Sequence, residues 1–180
     1  SYGPYDWLFI TIPPNQAIEI LFNNFKFLDI LRKIKMRSCY SLMLGFEKIK
    51  EFNFDTALFL NEDVQWLSIR KKTLENKKYY NLLINSSYYF AEKNINSSKD
   101  KISNYLIKQV SGILNCDLNN YDHKALHFWK YAMSEKNNNL GSLIDEDLKV
   151  IVCGDWCMNG KVEGGFLSAK NAANKLLKYI

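Results

Sequence analysis

Residues 150–173 read VIVCGDWCMNGKVEGGFLSAKNAA, and the reading of this stretch decides the fold. Val150, Ile151, Val152 and Cys153 form a short apolar run of the length and β-branched content of a buried strand, closed by Gly154. A turn-like stretch from Asp155 to Lys161 follows, with Asn159–Gly160 as its strongest turn signal. From Glu163 the apolar spacing becomes helical through Phe166, Leu167, Ala173 and Leu177. Gly164 and Gly165 at the helix mouth leave the first backbone N–H groups without a side-chain screen. A helix start of this kind carries orphan donors and partial positive charge, which suit an electron-rich ligand edge. Asp155 falls at the carboxyl end of the strand, where open α/β sheets bind ligands. A strand–loop–helix unit with a purely structural role has the same pattern, so both readings stay open on these residues alone.

The order GDW, VEGGFLSA and then AA in a short helix resembles the C-terminal flavin motif of the renalase-like FAD-dependent amine oxidoreductases, which reads GDW…VEGA-x-x-SG…AA. The resemblance implies FAD as cofactor. It implies cofactor-binding roles for Gly154, Asp155, Trp156, Val162, Glu163, Gly164 and Gly165. Asp155 would lie against the ribityl–pyrophosphate part, and the backbone from Val162 to Gly165 would approach the flavin pyrimidine edge. Gly165 stands where the family has alanine and Ala169 where it has glycine. Both exchanges are between small residues.

The 180 residues suffice for a domain with a real core, and 47% hydrophobic with 24% charged residues is ordinary for a globular chain. The net charge of +5 is modest, and the lysines read as scattered among asparagines, so neither a nucleic-acid nor a membrane partner is expected. No apolar run approaches the ~18 residues of a membrane span. The four cysteines, Cys39, Cys116, Cys153 and Cys157, lack metal-ligand spacing, and reduced thiols in a cytoplasmic protein are expected. His123 and His127 are spaced for a metal only on a helix, whereas His127 falls in a strand pattern, so no metal site is predicted.

Along the chain, 5–12 (YDWLFITI) reads as a buried strand stopped by Pro13 and Pro14, with a helix over 15–22. The stretch 5–21, YDWLFITIPPNQAIEIL, resembles the family's passage from the last FAD-domain strand to the substrate domain, matching at Tyr5, Asp6, Trp7, Pro13, Pro14, Gln16 and Ala17. A helix over 24–35 follows, then strands over 38–46, 56–60, 65–70 and 79–84, with 74–78 read as a loop. Strands in close succession argue for an antiparallel or mixed sheet. Ser87 and Ser98 are helix-cap candidates. After Ser98, the spacing of Ile102, Tyr105, Leu106, Gln109, Val110 and Ile113 predicts a helix with one buried face.

The run 124–133, KALHFWKYAM, alternates as a strand, with His127, Trp129 and Tyr131 on one face and Leu126, Phe128 and Lys130 on the other. Core aromatics with satisfied polar tips account for this pattern as readily as a binding face does. HFWKYA resembles the family's H-x-W-R-Y-A signature, which implies that His127, Trp129 and Tyr131 face the substrate in front of the flavin. Lys130 stands where the family has arginine and lacks its planar fork.

The eight glycines, at 3, 45, 112, 141, 154, 160, 164 and 165, form no G-x-G-x-x-G turn. The resemblance therefore spans only the family's C-terminal half, and the chain is expected to be a fragment. The expected fold class is α+β: a mixed, largely antiparallel substrate-domain sheet covered by helices, with terminal strand and helix pieces of a Rossmann-like FAD domain. The expected division is 1–23 and 147–180 as FAD-domain pieces and 24–146 as substrate domain. The expected partners are a small-molecule substrate and the missing N-terminal FAD-binding half.

With that half present, a small reduced substrate would pass a hydride to flavin, reoxidised by dioxygen; the fragment alone would be inactive. No catalytic residue is assigned. Two alternatives stay open: a non-enzymatic interaction module on the same sheet, and a neighbouring flavoenzyme of the desaturase or porphyrinogen oxidase kind.

Overall fold

In the computed structural model, residues 3–60, 62–75, 77–136 and 138–179 are described. Their arrangement is α+β, with a three-stranded and a five-stranded sheet. The chain divides into two compact units, one running to Arg37 and resuming at Tyr131, the other spanning Ser38–Lys130. These limits lie inside the 24 and 146 expected from sequence, because helix α2 (Leu28–Lys33) and strand β7 (Leu143–Asp145) pack with the chain ends.

The terminal unit holds β1 (Leu8–Ile10), α1 (Pro14–Ile20), α2, β7, β8 (Val150–Val152) and α5 (Val162–Leu176). Strand β8 is central: β1 pairs with it in parallel, Leu8 opposite Val150, and β7 pairs antiparallel, Leu143 opposite Val152. Every residue of β8 is buried, as its unbroken apolar run requires. Of the strand expected over 5–12, only Leu8–Ile10 forms, because only those three residues have partners on β8. The helix expected over 24–35 shortens to α2, since 22–27 are taken up by turns, one closed by the Phe25 N–H on the Phe22 carbonyl. Ile10, Ala17, Leu31, Leu143, Val152 and Trp156 share this unit's core.

A buried carboxylate pins that core. Asp145, 1% exposed, accepts the Lys26 backbone N–H at 2.9 Å and that of Leu148 at 3.2 Å. The Lys26 ammonium lies 3.8 Å away and also reaches Glu146 and Asp147. Burying this carboxylate is tolerable because its oxygens are met by donors.

The central unit is built on the five-stranded sheet, ordered β3 (Thr56–Leu58), β4 (Val64–Leu74), β5 (Lys77–Ser86), β2 (Met36–Phe46) and β6 (His123–Ser134). The pairs β3–β4, β4–β5 and β5–β2 are antiparallel. Helices α3 (Tyr88–Lys93) and α4 (Lys99–Leu114) are capped by the Ser87 and Ser98 hydroxyls, which accept the N–H of Phe90 and Lys101. Their apolar faces cover one side of the sheet: Phe90, Ile102, Leu106 and Val110 meet Leu42, Leu44, Leu67, Leu82 and Ile84. The stretch 74–78, read as a loop, is instead the end of the β4–β5 hairpin, with Leu74 opposite Lys77. Glu75 takes the turn at φ 49°, and Asn76 lies outside the described residues. Among the described residues no helix is long and apolar enough to cross a membrane.

Candidate functional site

The carboxyl end of β8 opens into a cleft of about 480 Å³, entirely within the terminal unit. Its walls include Thr11, Ala132, Asp155, Lys161, Val162 and Gly165. How the sequence builds it can be followed bond by bond. The Cys153 N–H donates to the Ile10 carbonyl at 3.0 Å, the last contact of the β1–β8 ladder. The next N–H, of Gly154, donates instead to Ser168 Oγ on α5 at 3.0 Å, and that hydroxyl donates to the Gly141 carbonyl at 2.5 Å. One buried serine thus ties strand end, helix and loop together.

A 3₁₀ turn, Asp155–Cys157, follows, and the chain doubles back through Gly160 at φ 68°, the left-handed conformation for which the Asn159–Gly160 signal stands. The Gly160 N–H closes this loop onto the Asp155 carbonyl at 3.0 Å. Helix α5 therefore begins beside Asp155. A Cβ on Gly165 would sit 3.8 Å from the Asp155 Cβ, in ordinary contact. Lys161 occupies the N-cap position without a side-chain cap, so the first N–H groups of α5 have no carbonyl partner within the helix.

The predicted cofactor residues separate into three groups. Gly154, Asp155, Val162 and Gly165 line the cleft. Glu163 is the acid of the helix's first turn but is absent from the cleft wall. Gly164 and Trp156 belong to the supporting structure. A Cβ at Gly164 would run into Asn159 Oδ1, so that glycine faces a neighbouring side chain rather than open space. Trp156 is 1% exposed in the core, its indole N–H donating to the Ile12 carbonyl at 3.1 Å. It lies so close to Gly154 that a Cβ there would stand 2.6 Å from Nε1. Lys161 and Thr11 escaped the sequence reading, because neither carries a periodic or motif signal, while Ser168 stood in the VEGGFLSA motif without a role assigned to it.

Two buried thiols, Cys153 in the cleft wall and Cys157 behind it, are held in the protonated form by burial. Burial pushes the Cys157 thiol up to about 12, against a smaller opposing pull from the Ser168 hydroxyl, and burial also raises Cys153. All four cysteines are unpaired, and both of these are buried protonated thiols rather than nucleophiles.

In the central unit, the sheet face opposite α3 and α4 carries the second set of candidates. Residues directly opposite in an antiparallel pair share a face. Ser41 and Asn85, Met43 and Leu83, and then Trp66 and Ser68 on β4 fall on this side. Trp129 belongs with them: its indole N–H donates to Ser41 Oγ at 3.1 Å, and Ser41 Oγ donates to Asn85 Oδ1 at 2.7 Å. The indole tip is thus anchored while the ring stays 52% exposed, its centroid 4.1 Å from that of His127 with the two rings tilted at 59°. Leu126 and Phe128 point the other way, into the helix-covered core, as the alternation requires. Tyr131 falls in the terminal unit and is half-buried. Trp66 was read only as part of an alternating strand, yet it shares the exposed face with Trp129. Among the described residues no cluster of His, Cys, Asp and Glu could hold a metal ion.

With this geometry in view, comparison with solved structures finds cyclohexylamine oxidase from Brevibacterium oxydans IH-35A, at a TM-score of 0.69 and 13% identity. The chain folds like part of an amine oxidase. The likeness covers 95% of this chain but only 42% of that oxidase, so the chain spans less than half its length. At this identity what is shared is the fold. No protein-family profile matches the sequence.

Proposed function

We propose that this chain is the substrate-binding and C-terminal portion of an FAD-dependent oxidoreductase of the renalase-like or amine-oxidase kind, working in the cytoplasm. The observation that carries the reading is the cleft at the carboxyl end of β8, walled by Asp155 and by the uncapped start of α5. Its composition suits FAD: an acceptor carboxylate for hydroxyl groups, unspent backbone donors, the Lys161 cation, and small residues at Gly165 and Ala169 that admit close approach. The motif resemblance around Gly154–Gly165 and the amine-oxidase fold support the same assignment.

When bound, FAD supplies the acceptor for a hydride from a small reduced substrate, with dioxygen as terminal oxidant. The chain's own part is positioning and charge. Asp155 would hold the ribityl region through hydrogen bonds that its carboxylate accepts. Backbone N–H groups at Val162, Glu163 and Gly164 would hold the electron-rich edge, where the partial positive charge of the helix start would stabilise negative charge. Trp156 and Gly154 hold that backbone in place. His127, Trp129 and Tyr131 contact the substrate, with Trp129 offering an anchored aromatic face. This reading assigns no acid or base to the chain.

The test needs the polypeptide extended by the nucleotide-binding half that the reading calls for. After incubation with excess FAD and desalting, the extended protein should keep a flavin absorption band, and Asp155→Ala should lower the flavin-to-protein ratio at least several-fold. Trp129→Ala should leave that ratio unchanged while cutting turnover of amine or dihydronicotinamide substrates. Flavin content indifferent to Asp155→Ala would remove Asp155 from the site. An extended protein that never retains flavin would favour the interaction-module alternative.

A further inference from the structure

Most lysines are spread along the chain, but four of them gather with Arg70 at one end of the central unit. Residues 70–78, RKKTLENKK, hold five cations against one carboxylate, while the whole chain carries a net +5. Strand β2 ends at Phe46 opposite Tyr80, and β3 reaches β4 only at Trp66, Leu67 and Ser68. Beyond those pairs the β4–β5 hairpin continues as a two-stranded ribbon flanked by the 47–51 segment, and every residue of β4 from Arg70 to Leu74 is exposed.

The ladder register sorts the charges by face. Lys71 opposes Tyr80 and Thr73 opposes Lys78; on this side Lys71 and Lys78 each lie 3.8 Å from Glu51. On the other side Arg70 opposes Asn81, Lys72 opposes Tyr79 and Leu74 opposes Lys77. That second face combines three cations, none with an ion-pair partner among the described residues, with a 49% exposed leucine and a half-buried tyrosine. The ribbon's one acid, Glu75, is in the turn.

We propose that this face of the β4–β5 ribbon docks on an anionic lipid surface. Three cations on one face match the field of acidic headgroups, while Leu74 and Tyr79 supply an apolar and an interfacial side chain on that face. Lysine-edged strands also discourage edge-to-edge pairing. That role accounts for charge on the ribbon, but not for an exposed leucine framed by Lys72 and Lys77. A single-stranded nucleic acid would be met by an exposed aromatic ring among the cations. Among the cations of this face the aromatic ring is Tyr79, which is half-buried, and the exposed Trp66 lies further along β4 outside the cluster, so the lipid surface is the better match.

The experiment is sedimentation of the whole chain with phosphatidylcholine vesicles, with and without phosphatidylserine, at low and high salt. Binding is expected only with phosphatidylserine, and salt should weaken it. Each lysine removed should lower partitioning about fivefold, so the double variant Lys72→Gln/Lys77→Gln should lose roughly 25-fold. Leu74→Ser should weaken binding several-fold with the charge unchanged. Lys170→Gln/Lys178→Gln, which lowers the net charge equally but elsewhere, should change it little.

Circular dichroism checks that each variant is folded; if the double variant is not, Arg70→Gln gives the same reading at about fivefold. Equal binding to neutral vesicles, no binding at low salt, or an equal loss in the Lys170/Lys178 variant would overturn the proposal. So would an oligonucleotide that binds with the same Lys72 and Lys77 dependence while Leu74→Ser leaves vesicle binding intact.

Discussion

The terminal unit builds its cleft around tightly packed glycines, with the side chains of Asp155, Lys161 and Val162 on a loop and a helix start, whereas the central unit presents its candidate face with side chains on a strand. In the first, Gly154, Gly164 and Gly141 each sit against a neighbouring side chain with no room for a Cβ. In the second, Trp129, Trp66 and Met43 stand partly in solvent, and Trp129 is held by a single hydrogen-bond chain through Ser41 to Asn85. A frame of packed glycines can be altered only by displacing whole elements. A face made of exposed side chains can be changed one residue at a time, so selectivity is more readily tuned on the central sheet.

Gly154→Ala puts the largest strain on that contrast. Its new Cβ would press on Trp156 Nε1 at 2.6 Å, and the indole has nowhere to go because it is buried and bonded to the Ile12 carbonyl. The expected loss is about 1–3 kcal/mol of stability, read from the denaturant midpoint. A midpoint unchanged within error would mean that the cleft floor has slack, and the contrast between the units would fail.

A smaller effect concerns Cys157. Its thiol keeps its proton in the fold to about pH 12, while in the unfolded chain it ionises from about 9.0. Between those values the folded state binds more protons, so this group's contribution to stability is complete below pH 9 and falls as pH rises, by at most about 1.4 kcal/mol per pH unit. Cys157→Ser should flatten the alkaline side of the stability profile. In native protein, Cys157 should also resist alkylation at pH 9 while the partly exposed Cys116 reacts. Rapid labelling of Cys157 would show that the cleft floor opens.

How much of this could be read from sequence depended on whether the determinant was local. The strand at 150–153 and the helix after Gly160 were legible because an apolar run and a turn dipeptide are local signals. So was β6, through the alternation of Phe128 with His127 and Trp129. Strand β7 was not, because its three residues are defined by pairing with β8 and by a buried Asp145 whose partners, Lys26 and Leu148, no periodicity foretells. The hairpin end was read as loop since lysine, glutamate and asparagine are poor strand formers, and cross-strand pairing overrode that preference. Trp156 sat within a cofactor-like motif, yet only the Ile12 carbonyl meeting its indole shows that it supports the cleft from behind.

Gly164 and Gly165 give the smallest test and the sharpest one. They are adjacent, identical in sequence terms, and both in the first turn of α5. Alanine at 165 would meet only Asp155, at 3.8 Å and 3.9 Å, and it removes the conformational freedom that makes glycine a poor helix former. Gly165→Ala should therefore gain up to about 1 kcal/mol in thermal or denaturant unfolding. Alanine at 164 is driven into Asn159 Oδ1, whose side chain also accepts the Lys161 N–H at 3.2 Å and so sets the approach to the helix. Gly164→Ala should lose stability, and Asn159→Gly in the same background should restore part of it by removing the obstructing atom. If both alanines behaved alike, the geometry of the α5 mouth would be wrong, and with it the assignment of Gly165 to the cleft wall and Gly164 to its support.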